Sequence, residues 1–235
     1  MKYQRILLKL SGEALMGSSD YGIDTDRLQQ YAREIKTLTD EGIEVAIVIG
    51  GGNIYRGMQG VGEGMDRVQG DYMGMLATVI NSMALQGALE KIGVPAKHLG
   101  GLEVSPINEA MSRQRATKYL EQKHVTIISG GTGNPYFTTD TASALRAVEI
   151  QADVLMKGTR VDGIYSDDPE KNPEAVKYQS LTFDEAYSKG LKIMDLTAFT
   201  LCKENNVSIL VFDMNTPGNL MKVIKHPEGG TLVHN

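Results

Sequence analysis

Along this chain, short apolar runs alternate with stretches whose apolar residues recur at helical spacing, and the runs stop at glycines. No other feature limits the fold as much. Arg5–Leu10 is apolar except at Arg5 and Lys9 and ends at Ser11-Gly12, as a strand covered on both faces would. Asp24 then caps a helix in which Leu28, Tyr31, Ile35 and Leu38 share one face, and Gly42 ends it. A second buried strand, 45–49, runs straight into Gly50-Gly51-Gly52-Asn53. A long helix is predicted over about 71–92, with Leu76, Ile80 and Met83 as its apolar side and Gly93 and Pro95 as its stop.

The rhythm continues. Strands are predicted at 96–99, 125–129, 154–157 and 208–212, with an edge strand at 231–233. Helices are predicted at 109–123, from Thr139 onward, around 195–205 and after Pro217. Strands alternating with helices predict an α/β chain: a three-layer αβα sandwich around a central, mostly parallel sheet. The turn-rich stretch 158–181 is the best boundary between two lobes of one domain, 1–157 and 158–235.

Composition narrows the function. The 235 residues are 41% hydrophobic, enough for a sizeable core. Subtracting 29 acids from 24 bases leaves −5, which disfavours a nucleic-acid surface. The single cysteine, Cys202, cannot close an internal disulfide, so a reducing, cytoplasmic setting is expected. His98, His124, His226 and His234 lie far apart, without zinc-ligand spacing. No apolar run approaches the roughly 20 residues that span a bilayer, and Lys9 interrupts the first run too early for a signal peptide.

Open parallel sheets bind ligands beyond the carboxyl ends of their strands. Here those ends carry Lys9-Leu10-Ser11-Gly12, Gly50-Gly51-Gly52-Asn53, Gly130-Gly131-Thr132-Gly133-Asn134 and Lys157-Gly158-Thr159. Glycines let backbone N–H groups approach an anion, and a following helix adds its positive end. Four such tips make a phosphate surface. The usual phosphate motifs are absent: no GxxxxGK[ST], no GxGxxG between a strand and a helix, and no protein-kinase signature. Lys9 is the sharpest single residue, since a cation ending an apolar strand needs a partner or a snorkelling exit. Arg56 follows the glycine triplet closely enough to meet phosphate. Asp140 and Asp195 each stand where a helix cap would serve equally well, and Asp71, also read as opening a helix, could hold ribose hydroxyls.

Taken together, these residues resemble the amino acid kinase superfamily, and within it the bacterial uridylate (UMP) kinase branch, from about Arg5 to Leu232. The markers are Leu8-Lys9-Leu10-Ser11-Gly12-Glu13, Gly50 through Gly57, Gly70-Asp71-Tyr72-Met73-Gly74-Met75, Gly131 through Asp140, Val161-Asp162-Gly163-Ile164-Tyr165 and Met194-Asp195-Leu196. The resemblance implies transfer of the γ-phosphoryl group of ATP to UMP, giving UDP and ADP, in pyrimidine biosynthesis. It implies that Lys9, Leu10, Ser11, Gly12, Gly52 and Arg56 meet the ATP phosphates, and that Thr159, Tyr165 and Asp168 hold its adenine and ribose. Gly51, Asp71, Thr132, Gly133, Asn134, Pro135, Tyr136, Phe137, Thr138 and Thr139 would bind UMP. Asp140 and Asp195 would organise Lys9 and phosphates carrying Mg2+, with Lys157 a further candidate for stabilising the leaving phosphate. No protein side chain is expected to bind the metal directly.

Relatives of this kind form homohexamers, with GTP an activator and UTP an inhibitor, and the loop of Gly17, Ser18, Ser19, Asp20, Tyr21 and Gly22 matches the region linked to the GTP response. Gln86 and Glu90 occupy a helix that is more basic in GTP-responsive relatives, and Glu90 would repel a triphosphate. Two other readings compete. One is a superfamily kinase acting on a carboxylate or carbamate, which the Thr132-to-Thr139 block opposes. The other is a non-catalytic nucleotide-binding or storage protein, which would lack Lys9, Asp140 and Asp195 as a set.

Overall fold

The computed structural model describes residues 3–55 and 64–235; Arg56 and the glycines at 57, 60 and 62 lie outside the described residues. One nine-stranded sheet organises the chain, in the order β4-β3-β5-β2-β1-β6-β8-β9-β7. The strands are β1 Arg5–Leu10, β2 Glu44–Ile49, β3 Ala96–Gly100, β4 Glu109–Ala110, β5 Val125–Ser129, β6 Val154–Thr159, β7 Ser180–Thr182, β8 Ser208–Asp213 and β9 Thr231–His234. All pair in parallel except β9 against β8. The tips of β1, β2, β5 and β6 therefore open on one edge.

Seven α-helices are described: α1 Thr25–Asp40, α2 Arg67–Lys91, α3 Arg113–Glu121, α4 Thr139–Glu149, α5 Phe183–Ser188, α6 Leu196–Glu204 and α7 Asn219–Lys225. They cover both faces. In β1, Ile6, Leu8 and Leu10 pack with Tyr31, Ile35 and Leu38 of α1, and with Leu85 of α2 and Leu220 of α7. Leu7 points the other way, into a second core with Leu120 of α3, Ala144 of α4, Phe183 of α5 and Phe199 of α6. Strand alternation then puts Lys9 on the Leu7 side, facing α4. The predicted three-layer sandwich is observed.

Several elements differ from the sequence expectation. The long helix starts at Arg67 with Asp66 as its cap, the Asp66 side chain accepting from the Gln69 N–H at 3.1 Å, so Asp71 lies in its second turn rather than at its opening. Its buried side is Met75, Thr78, Asn81, Ser82, Leu85 and Leu89, whereas Leu76, Ile80 and Met83 are 44%, 49% and 45% exposed. Small and polar residues can face the glycine tips at close quarters, and periodicity alone did not reveal that preference. The region read as helix from 109 begins instead with the short strand β4, and Ser112 caps α3. β9 is interior, since β7 pairs outside it; three-residue β7 carries too little pattern to be read. Helix α5 was likewise unread, although Thr182 and Glu185 form a capping box there.

Candidate active site

The sheet register builds the centre of the site. Lys9 and Lys157 are Cα partners on β1 and β6, so their side chains rise together on the α4 side. Asp140, in the first turn of α4, stands between them. Its Oδ1 lies 2.8 Å from Lys9 Nζ and its Oδ2 2.9 Å from Lys157 Nζ. The Lys9 contact is ionic, its direction off the line of a hydrogen bond. Lys157 also donates to the Ile193 carbonyl at 2.6 Å. The side chains of Lys9, Asp140 and Lys157 are 13%, 17% and 17% exposed, so these charges act in a poorly hydrated setting.

That setting governs their protonation. Burial would raise the Asp140 carboxyl, but the ammonium groups of Lys9 and Lys157 outweigh it and hold it below its ordinary value. Burial lowers the Lys157 ammonium; Asp140 opposes that and Lys9 reinforces it. Asp140 is available to both lysines because it does not cap its helix. Thr138 does, its Oγ1 accepting from the Thr141 N–H at 3.1 Å. Asp195 is the cap of α6, accepting from the Ala198 N–H at 2.9 Å. Its carboxylate also accepts from the hydroxyls of Thr138 and Thr141, and among the described residues it forms no ion pair with either lysine. Asp195 thus ties α6 to the start of α4, and of the two aspartates expected to organise Lys9 it is Asp140 that pairs with it among the described residues.

Two clefts open on the lysines, and a third reaches Thr139, the neighbour of Asp140 in sequence. Lys9 and Lys157 line one of about 430 Å³ with Ser11 and Thr159. Lys157 and Thr159 also line a second, of about 610 Å³, with Ile164, Tyr165 and Asp168. There the Tyr165 hydroxyl donates to Asp162 at 2.6 Å, a bond that, with some burial, pushes the phenol up to about 12 and keeps it neutral. The third cleft, about 190 Å³, is lined by Gly51, Gly52, Asp71, Phe137, Thr138 and Thr139. Gly52, expected beside the donor phosphates, lines this third cleft together with Gly51. Leu10 is in the core and can offer only its backbone.

Close backbone approach explains two glycines. A Cβ on Gly12 would come within 2.5 Å of the Gly50 carbonyl oxygen, so the β1 and β2 tips can meet only without it. A Cβ on Gly51 would sit 2.8 Å from Gly74 O and from the Ala77 side chain, where α2 passes beneath the third cleft.

Thr132, Gly133, Asn134 and Pro135 do not line that cleft, and the Thr132 hydroxyl is engaged locally with Asn134. Tyr136 is 66% exposed and is tied to the site by its backbone, its N–H donating to Asp71 Oδ2 at 2.7 Å. The loop from Gly17 to Gly22 connects to the glycine triplet: Gly22 and Asn53 exchange hydrogen bonds of 2.8 Å, and Asn81 Nδ2 donates to Gly50 O at 2.7 Å. Sequence reading missed Thr78, whose Oγ1 accepts from the Gly130 N–H at 2.8 Å, and the buried Arg146, whose Nη2 donates to Gly131 O at 3.2 Å. A lone arginine among the small residues of α4 was the available signal.

No three acidic, histidine or cysteine side chains gather as a metal cage among the described residues. Both Asp140 oxygens are held by lysines. A hard cation keeping an oxygen shell would fit this site through nucleotide phosphates rather than through a protein cage.

Known proteins resemble the chain in sequence and fold. Residues 4–213 match the model of the amino acid kinase family. Over 234 residues the chain is 60% identical to a uridylate kinase of Parabacteroides distasonis, covering 100% of this chain and 99% of that one. It is 58% identical to a uridylate kinase of Bacteroides thetaiotaomicron, with the same coverage. A crystal structure of UMP kinase from Ureaplasma parvum superposes with a TM-score of 0.94 at 38% identity, covering 100% of both chains. UMP kinase from Bacillus anthracis superposes with a TM-score of 0.94 at 36% identity, covering 99% of this chain and 96% of that one.

Proposed function

The chain belongs to the amino acid kinase family, and from that premise we propose that it transfers the γ-phosphoryl group of ATP to UMP, giving ADP and UDP. One observation carries the mechanism: two lysines are joined by one carboxylate, with one net positive charge. Both lysines line one cleft, Lys157 lines a second, and Thr139 of the third adjoins Asp140 in sequence. A phosphate monoester has a second pKa of about 6, so UMP is already mostly dianionic at neutral pH and needs no general base. The difficulty is bringing two anions together. Positioning and charge stabilisation dominate such transfers. Lys9 faces the transferred group, Lys157 the leaving phosphate, and Asp140 orients both ammonium groups. The amides at Gly12, Gly51 and Gly52, with the N-terminus of α4, supply further positive potential.

Mg2+ bound to the ATP phosphates would supply additional charge neutralisation. The 610 Å³ cleft suits adenine and ribose, through Thr159, Tyr165 and Asp168, while the cleft beside Asp71 and Phe137 suits UMP. The carboxylate- or carbamate-kinase alternative and the storage-protein alternative find no support among the relatives. UTP, an analogue of the acceptor, is the expected inhibitor, and GTP a candidate activator through the loop from Gly17 to Gly22. The exposed α2 residues Tyr72, Met73, Leu76, Ile80 and Met83 support a homohexamer with subunits meeting on this helix. No helix among the described residues is long and apolar enough to cross a membrane, in keeping with a cytoplasmic role in pyrimidine nucleotide biosynthesis.

The deciding assay is coupled ADP release with UMP, CMP and dUMP, with and without GTP, with the UDP product identified. UMP should be the preferred acceptor. ATP consumption without UDP would overturn the assignment.

A further inference from the structure

The acceptor cleft has a fastening outside its lining. Arg67, in the first turn of α2, places its Nε 3.0 and 2.9 Å from the two oxygens of Asp71, one helical turn on. Asp71 Oδ2 in turn accepts from the Tyr136 N–H at 2.7 Å, across 65 residues of sequence. The Arg67 guanidinium also lies over the Tyr136 ring, 5.5 Å from its centroid. Tyr136 itself has φ = 72°, a left-handed backbone that a non-glycine residue adopts only where its surroundings enforce it. Ion pair, backbone bond, ring contact and enforced turn thus converge on one point of the segment 132–138.

From this geometry we propose that Arg67 is a positioning residue for the acceptor. It holds the Asp71 carboxylate in the one orientation that straps the segment 132–138 down, so that Phe137, Thr138 and Thr139 line the cleft. Resting on the UMP-kinase reading, this deepens it. Arg67 touches no substrate in this scheme. It sets how well the cleft is formed before UMP arrives, and preorganisation of that kind appears in acceptor affinity. A residue needed only for folding would instead lower stability and impair both substrates.

The test compares the full-length wild type with Arg67→Met in two independent readouts. Steady-state kinetics should show KM for UMP raised about fivefold, with KM for ATP unchanged and kcat within about twofold, the scale of a partly exposed ion pair plus a cation–π contact. Hydrogen exchange of the ligand-free proteins should be faster in the variant at the Tyr136 amide, with the exchange of β1 and β2 unchanged. Unaltered exchange at Tyr136, or an unaltered KM for UMP, would overturn the proposal, as would equal losses for both substrates with a lowered Tm. If neither protein made UDP, the kinase reading would fail and the positioning role with it. The exchange comparison would still report whether the strap exists.

Discussion

Lys9 and Lys157 are register partners on adjacent parallel strands, and one carboxylate, Asp140, holds both of their ammonium groups within 2.9 Å. Like charges side by side on a buried sheet face repel, and only the bridging anion makes the pair tolerable. One positive charge is left over. A phosphoryl group in flight is the species best suited to meet it, which links the sheet register to the chemistry.

Removing Lys9 leaves Asp140 still paired with Lys157. Lys9→Ala should therefore fold, with circular dichroism like that of the wild type, while kcat falls by about 10²- to 10³-fold, the usual cost of deleting one preorganised electrostatic group. Turnover like that of the wild type would take Lys9 out of the mechanism.

Asp140→Asn has the opposite profile. It leaves two buried ammonium groups facing each other without a counter-charge, at a cost on the order of 3 kcal/mol. Thermal unfolding should show the loss, and saturating ATP should raise Tm more in this variant than in the wild type, because phosphate supplies the missing negative charge. An unshifted Tm would mean that the triad does not hold the tips together.

The acid side carries the same signature. The folded Asp140 carboxyl sits below its ordinary 3.8, so its contribution to stability is fully present above that value and is lost as pH falls through the lower folded value. Urea unfolding from pH 5 to pH 2 should show less acid destabilisation in Asp140→Asn than in the wild type. Parallel curves would contradict the pairing.

On the alkaline side, burial holds the Lys157 ammonium below its ordinary 10.5. Between the two values the unfolded chain binds the proton more readily, so folding stability rises with pH through that window. Activity should do the reverse, because the cationic form is the working one. The kcat/KM profile, which reports the free enzyme, is expected to fall with an apparent pKa under 10.5, and Lys157→Arg should move that limb outward. A wild-type profile flat to pH 10.5 would exclude the role.

A charge on the exposed α2 stripe gives the last test. Ile80→Glu puts a carboxylate at a residue that is 49% exposed in the single chain, so the subunit should fold normally. Sedimentation should show the proposed homohexamer for the wild type and smaller species for the variant. A variant that sediments like the wild type would place the subunit contacts elsewhere.

Much of the fold is legible in the sequence alone. Short runs dominated by apolar residues marked the buried strands, since a strand covered on both faces does not alternate apolar with polar, and Leu28, Tyr31, Ile35 and Leu38 marked one helix face. The glycine tips pointed to phosphate for a local reason, backbone access. Both are properties of neighbours in sequence, so pattern could expose them. The α2 face misled, because exposure of Leu76, Ile80 and Met83 depends on what lies across from them.

The partners themselves needed the folded chain. Lys9, Asp140 and Lys157 are more than a hundred residues apart at their extremes, and strand register is what brings the two lysines level and α4 between them. Whether a carboxylate caps its own helix or answers a distant lysine is decided by which neighbour reaches the free N–H groups first. Thr138 does so for α4, which releases Asp140, whereas Asp195 caps α6 itself. Local chemistry along the chain thus declares the parts and the anion they suit, and long-range packing settles which charges meet, because Coulomb energy depends on distance in space and not on separation in sequence.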